Sequence, residues 1–205
     1  LVVNQNPGAQ DLSYDMRGGG RVLAGPEYVV LRKEFRHMQW EPSSDAPRIL
    51  VTFGGYDRGN LALAAMGELA KLKEPFSATV ICSADARGLE EAQAFAASHG
   101  KQFHVTPPTD MAPLMAAVDL ALCAGGTTAL EMAALGVSMV LVTVADNQEP
   151  GAAALAGAGC ARMAGRGVAA LSQATKTLGD LLRDPAARED MGRAGAALVD
   201  GRGVE

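Results

Sequence analysis

With 205 residues, 48% of them hydrophobic and 20% charged, the chain has an ordinary soluble globular composition, with room for one complete core and part of another. A net charge of −5 and an aromatic share of 4% exclude a basic, aromatic-lined surface, so no nucleic-acid partner is expected. The longest apolar run, Ala134 to Ala145, falls short of the roughly 20 residues that cross a bilayer, and no membrane span is expected.

The chain begins at Leu1, without an initiator Met or a signal peptide, and passes straight into the strand-like Leu-Val-Val. It reads as a fragment. Leu1 to Asn6 is a predicted strand, followed by a turn-rich stretch through Gly18-Gly19-Gly20, and Arg21 to Ala24 is a second short strand. Glu27 to Phe35 fits either a short helix or an extended crossover. Trp40 to Arg48, with two prolines and two serines, is a linker.

A regular alternation then starts. Strands are predicted at Arg48 to Phe53, Phe76 to Ser83, Gln102 to Thr106, Asp119 to Ala124, Val137 to Thr143 and Cys160 to Met163. Helices are predicted at Asn60 to Lys73, Leu89 to His99, Met111 to Val118, Thr127 to Leu135, Glu149 to Ala158, Val168 to Arg183 and Ala186 to Val199. Continuously apolar strands separated by helices imply an α/β fold, a Rossmann-like doubly wound parallel sheet covered on both faces. Such sheets bind ligands at the carboxyl ends of their strands. Gly54-Gly55, Gly125-Gly126 and Asn147-Gln148 all fall at predicted strand ends, so three loops are expected to line one crevice.

The central unit runs from Asp119 to Gln148. Its glycines permit close backbone approach, and the helix beginning at Thr127-Thr128 offers open N–H groups and partial positive charge to a phosphate. Glu131 follows Thr128 by three residues. That spacing fits a capping box, and it equally fits a carboxylate that accepts hydrogen bonds from a ribose diol. Gly54-Gly55 has a plain reading as a tight turn, Asp57 and Asn60 as helix caps, and Gln148 as either a cap or a ligand contact.

Cys82, Cys123 and Cys160 are odd in number and widely spaced, which suits core packing in a reducing compartment, hence the cytoplasm. Cys123 precedes the glycine loop but has no histidine near it in sequence, and core packing is the preferred reading. His37, His99 and His104 lack metal-ligand spacing, so no metal and no cofactor is expected. His99 is expected at a helix C-terminus and His104 within a strand.

Four motifs occur in one order: Gly-Pro-Glu-Tyr-Val-Val-Leu-Arg-Lys-Glu-Phe (25 to 35), Thr-Phe-Gly-Gly-Tyr-Asp with Asn60, Ala-Gly-Gly-Thr-Thr with Glu131 and Leu135-Gly136, and Ala-Asp-Asn-Gln (145 to 148). The order resembles the UDP-2,4-diacetamido-2,4,6-trideoxy-β-L-altropyranose hydrolases of pseudaminic acid biosynthesis and their spore-coat-polysaccharide relatives. It is similar, at greater distance, to the lipid II-forming N-acetylglucosaminyltransferases. The resemblance covers about Val2 to Gly159, and Ala129 and Tyr56 depart from its pattern.

The resemblance implies the second domain of a glycosyltransferase-B-like fold. Residues 1–40 would be a remnant of the first domain and crossover, 41–47 a linker, and 48–200 a UDP-sugar-binding Rossmann-like domain whose missing partner is the first domain of the same protein. It further implies that Gly54, Gly55, Gly125, Gly126, Thr127, Thr128, Glu131, Asn147 and Gln148 bind the UDP-sugar: the glycine-loop amides the pyrophosphate, Glu131 the ribose, Gln148 the sugar. No catalytic residue is expected here, since the family's histidine lies in the first domain. The implied reaction is metal-independent hydrolysis releasing UDP and a 2,4-diacetamido sugar. A UDP-sugar glycosyltransferase and a non-catalytic sugar-nucleotide-binding domain are the competing readings.

Overall fold

The computed structural model describes residues 1–38, 40, 46–54, 60–82, 85–100 and 102–203. The readings of Gly55, Tyr56, Asp57 and the His37 side chain lie outside the described residues, as does most of the expected linker.

Among the described residues six strands form one parallel sheet: β3 (Arg48–Thr52), β4 (Ser77–Ile81), β5 (Phe103–Thr106), β6 (Leu120–Cys123), β7 (Ser138–Thr143) and β8 (Ala161–Arg166). Their order is β5-β4-β3-β6-β7-β8, and every neighbouring pair is parallel. Counted from β3, this is the doubly wound order in which the chain turns back at the β3–β6 junction. That junction is the crevice where such sheets bind ligands, and it lies between the Gly54 loop and the Gly125-Gly126 loop.

Among the described residues seven helices cover the sheet: α1 (Leu61–Leu69), α2 (Ala86–Ser98), α3 (Met111–Ala116), α4 (Thr127–Leu135), α5 (Glu149–Gly157), α6 (Leu171–Arg183) and α7 (Pro185–Leu198). Alternation along the strands divides the core in two. Ile49, Val51, Leu120, Leu122, Val140 and Val142 pack with Leu61, Met66, Leu171 and Leu178 of α1 and α6. Leu50, Ala121, Cys123, Met139 and Leu141 pack on the other face with Met115, Met132, Ala152 and Leu155 of α3, α4 and α5. Each buried aliphatic side chain contributes roughly 1.5–3 kcal/mol. Both faces are needed, which is why these strands read as unbroken apolar runs.

Helix starts follow their side chains. The carboxylates of Asp85, Asp110 and Asp184 accept from Gly88, Ala112 and Ala187 N–H and cap α2, α3 and α7, the last with Pro185 in its first turn. Apolar positions of α6 recur at Leu171, Ala174, Leu178, Leu181 and Leu182, the spacing of one buried face. β8 runs three residues further than Cys160 to Met163 predicts. A register shift opposite Leu141/Val142 and Gly165 at φ 124° break its alternation, and so hide its length in the sequence.

Outside the main sheet, β1 (Val2–Asn4) and β2 (Val22–Ala24) form a parallel pair in register Val2↔Val22 to Asn4↔Ala24. Gly25 to Phe35 is a non-strand segment in which Val29 to Arg32 join two 3-10 turns, Pro26–Tyr28 and Lys33–His37. Val29, Leu31 and Phe35 are buried and join the second core, while Val30 and Arg32 point out. The segment is thus folded onto α4, a placement that apolar spacing alone left undecided.

Candidate functional site

The crevice is built from the carboxyl ends of β3, β6 and β7, adjacent in the sheet. Ala124 N–H donates to Thr52 O at 3.2 Å, tying the first two ends together. At the end of β3, Gly54 has φ +96°, a conformation that suits glycine and not an L side chain, and a Cβ there would meet nothing within 4 Å. That backbone conformation requires glycine on either reading, a tight turn or a close approach to phosphate.

The two glycines after β6 have different roles. A Cβ on Gly125 would lie 2.9 Å from Ala152 Cβ and 3.4 Å from Gln148 O, so this glycine lets α5 pack against the loop. A Cβ on Gly126 would meet only Gln148 Nε2, at 3.7 Å. Gly126 is the N-cap of α4, and no side chain caps that end among the described residues. The amides that begin α4, at exposed Thr127 and half-buried Thr128, stay open with the helix's partial positive charge behind them.

Glu131 lies one turn further on. The capping-box reading of Thr128 and Glu131 is corrected by this geometry: α4 starts at Thr127, so Glu131 is too deep in the helix to reach the N-cap amide. Instead Glu131 is 5% exposed, and its Oε1 accepts from Arg32 Nε at 2.8 Å. Arg32 comes from the Gly25–Phe35 segment. Its guanidinium also pairs with Glu34 Oε1 at 3.1 Å and lies over the Phe35 ring at 4.8 Å. The hydrogen bond to Glu131 raises the Arg32 pKa above its already high ordinary value, against the cost of partial burial.

At the end of β7, Gln148 occupies the N-cap position of α5, yet its side chain does not cap that helix. Its Oε1 accepts from Val144 N–H at 2.9 Å, which fixes the carboxamide and leaves Nε2 beside Gly126. Asn147 is exposed on the same loop. Arg166, at the end of β8, pairs with Asp146 and, at 3.5 Å, with Glu149, which adds the β8 end to the same rim. The fold thus gathers Gly125, Gly126, Thr127, Thr128 and Gln148 around one helix mouth, with Glu131 one turn further into α4 on the side of Arg32.

Arg32 and Arg166 escaped the sequence reading. A buried carboxylate needs a cation, but neither the burial of Glu131 nor a partner 99 positions away is visible in a local pattern. Cys123 is buried at the end of β6, and desolvation pushes its thiol to about 12, unfit for a nucleophile and in line with core packing. Cys82 and Cys160 are also buried and free. His99 ends α2, its ring stacked 4.1 Å from Phe95 and Nδ1 2.8 Å from Phe95 O, and His104 is exposed on β5. Among the described residues no helix is long and apolar enough to cross a membrane.

Among proteins of known sequence, the chain is 27% identical over 196 residues to the spore coat polysaccharide biosynthesis protein SpsG of Bacillus subtilis, covering 92% of this chain and 57% of that protein. Among solved structures, MurG of Acinetobacter baumannii superposes with a TM-score of 0.65 at 22% identity, covering 92% of this chain and 58% of that one. The UDP-GlcNAc 2-epimerase of Neisseria meningitidis bound to UDP-GlcNAc superposes with a TM-score of 0.54 at 21% identity, covering 77% and 45%. The chain therefore spans about half the length of these relatives. At such identities the structural matches establish the fold alone. The profile of the glycosyltransferase family 28 C-terminal domain matches residues 48–200, continuously from β3 to the end of α7, and the chain belongs to that family.

Proposed function

We propose that this chain is the nucleotide-sugar-binding half of a glycosyltransferase-like enzyme, with residues 48–200 as the domain that takes a UDP-sugar and residues 1–40 as a remnant of the opposing domain together with a crossover, whose Gly25–Phe35 stretch packs on α4. The observation that carries this reading is the open α4 mouth, with Gln148 Nε2 beside Gly126 and the Glu131 carboxylate one turn in. Side chains on a helix tilt toward its N-terminus, so Glu131 leans toward that mouth. The α4 amides would hold the diphosphate, Glu131 would accept from the ribose hydroxyls, and Gln148 would donate toward the sugar or its adjoining phosphate. As the bond between sugar and diphosphate breaks, charge grows on the departing oxygen. A fixed helix N-terminus stabilises that charge without reorganising.

A second reading is hydrolysis of the UDP-sugar. It is favoured by the Gly25–Phe35 segment, which carries the resemblance to the hydrolases and here supplies Arg32 to Glu131. The same binding chemistry serves both, because water and a sugar acceptor differ only at the opposing domain.

Titration calorimetry of the chain with UDP, uridine and inorganic pyrophosphate tests the binding role: UDP binds more tightly than either part. No UDP binding at millimolar concentration refutes it. Progress curves of UDP release from a UDP-sugar by the same chain are expected to stay flat, and turnover would place the reacting groups within these 205 residues.

A further inference from the structure

Glu131 presents a problem of its own. A carboxylate with 5% exposure is costly unless paired, and its depth in α4 denies it the helix-end amides. The pairing comes from Arg32, in a segment with its own anchors: Val29, Leu31 and Phe35 are each at most 5% exposed. The guanidinium is fixed on three sides, by Glu131 at 2.8 Å, by Glu34 at 3.1 Å and by the Phe35 ring at 4.8 Å. Only Oε1 of Glu131 is engaged. Oε2 has no hydrogen-bond partner among the described residues and is not sealed from solvent.

Resting on the UDP-sugar reading above, we propose that Arg32 is a positioning residue: it holds Glu131 turned so that Oε2 accepts from the ribose 2′-hydroxyl. A carboxylate held at one oxygen by a rigid fork keeps the other oxygen in a single place, and the ligand need not order it on arrival. Lysine is a poor substitute. A single ammonium on a flexible stem cannot lie on the Phe35 ring and reach Glu131 and Glu34 together with the planar geometry of the guanidinium.

The test compares UDP with 2′-deoxy-UDP by titration calorimetry, on wild type, Arg32→Gln and Arg32→Lys, at a temperature where each remains folded. Wild type is expected to prefer UDP by about tenfold or more, the scale of one charge-assisted hydrogen bond. Arg32→Gln should reduce that preference to about twofold, and Arg32→Lys should lose several-fold of it. A merely structural Arg32 would weaken both ligands alike and leave the ratio unchanged. An unchanged ratio in either variant overturns the proposal while the UDP site stands. A wild type that binds UDP without preferring it over the deoxy form removes Glu131 from the ribose and overturns the proposal. Absence of binding to both ligands overturns the UDP reading and the proposal with it. If Arg32→Gln does not fold, Arg32→Lys gives the same decision.

Discussion

Gly125 and Gly126 are adjacent in sequence, yet the geometry assigns them opposite roles, and two alanine substitutions separate them. In Gly125→Ala the new methyl would sit 2.9 Å from Ala152 Cβ, where ordinary contact lies at 3.4–4 Å. Either α5 or the loop must give way, and overpacking of this kind costs about 1–3 kcal/mol. For a chain of this size each kcal/mol moves the melting temperature by about 2–4 °C, so a fall of about 4–8 °C is expected for a cost near 2 kcal/mol. UDP affinity measured below that melting point should fall less than in Gly126→Ala, because the methyl presses on Ala152 and the Gln148 backbone and not into the α4 mouth. Gly126→Ala behaves in reverse. Its φ of −103° and ψ of −158° admit alanine, and the methyl meets only Gln148 Nε2 at 3.7 Å. Losing glycine at an N-cap costs at most about 1 kcal/mol. The methyl does, however, stand at the α4 mouth, where a diphosphate must touch backbone, and UDP affinity should fall at least about tenfold, or 1.4 kcal/mol. Thermal unfolding and titration calorimetry on both variants complete the comparison. If Gly126→Ala binds UDP like wild type, the diphosphate does not lie on this loop and the assignment fails.

Three further outcomes are expected. Gly192→Ala should lower the melting temperature despite alanine's helix-propensity gain of about 1 kcal/mol, since its Cβ would press into the Gly136 carbonyl. Gly67→Ala, with nothing within 4 Å, should raise it, and the reverse ranking would refute the α4–α7 packing. Burial raises the Cys123 thiol from 9.0 to about 12, so its neutral form stabilises the fold fully below pH 9, and that contribution is lost as pH rises toward 12. Wild type should therefore lose stability relative to Cys123→Ala by up to about 1.4 kcal/mol per pH unit in that window, and parallel denaturation curves would contradict it. In hydrogen exchange, amides of Val2 to Asn4, in a two-stranded ribbon, should exchange well before those of Ile49 to Val51 in the sheet centre, which equal protection would disprove.

The sheet was legible because its strands are apolar on both faces and its breaks are chemical: Gly54, Gly125-Gly126 and Gly136 each stop or turn an element at its observed end. Gly136 sits at φ 75°, a helix end that glycine makes without strain. The predicted helix Asn60 to Lys73 shrinks to Leu61–Leu69, where 3-10-type bonds from Lys71 and Leu72 close its end. Local patterns failed where the cause was distant. The capping-box spacing of Thr128 and Glu131 was real, but helical phase decides whether such a pair can cap, and a start at Thr127 with Gly126 as N-cap puts Glu131 two positions too deep. Gly25 to Phe35 could not be assigned to helix or crossover because its burial comes from α4, not from its own periodicity.

That segment also explains why α4 is central to the molecule. Its first turn forms the mouth of the crevice, and its end meets α7 at Gly136 and Gly192, where only glycine permits backbone contact. Ala133 O lies 2.9 Å from the position of a Cβ on Gly195, so two glycines one turn apart on α7 lie directly on the α4 backbone. Past α7, Val199 is 1% exposed in the same core as Val29 and Leu31, and a Cβ on Gly203 would clash with the Val29 carbonyl. Residues 199–203 therefore lie against the segment that delivers Arg32. Packed interfaces transmit displacement because they do not deform freely. Residues 199–203 share one packed contact with Val29 and Leu31, the buried anchors that precede Glu131's partner Arg32 in sequence.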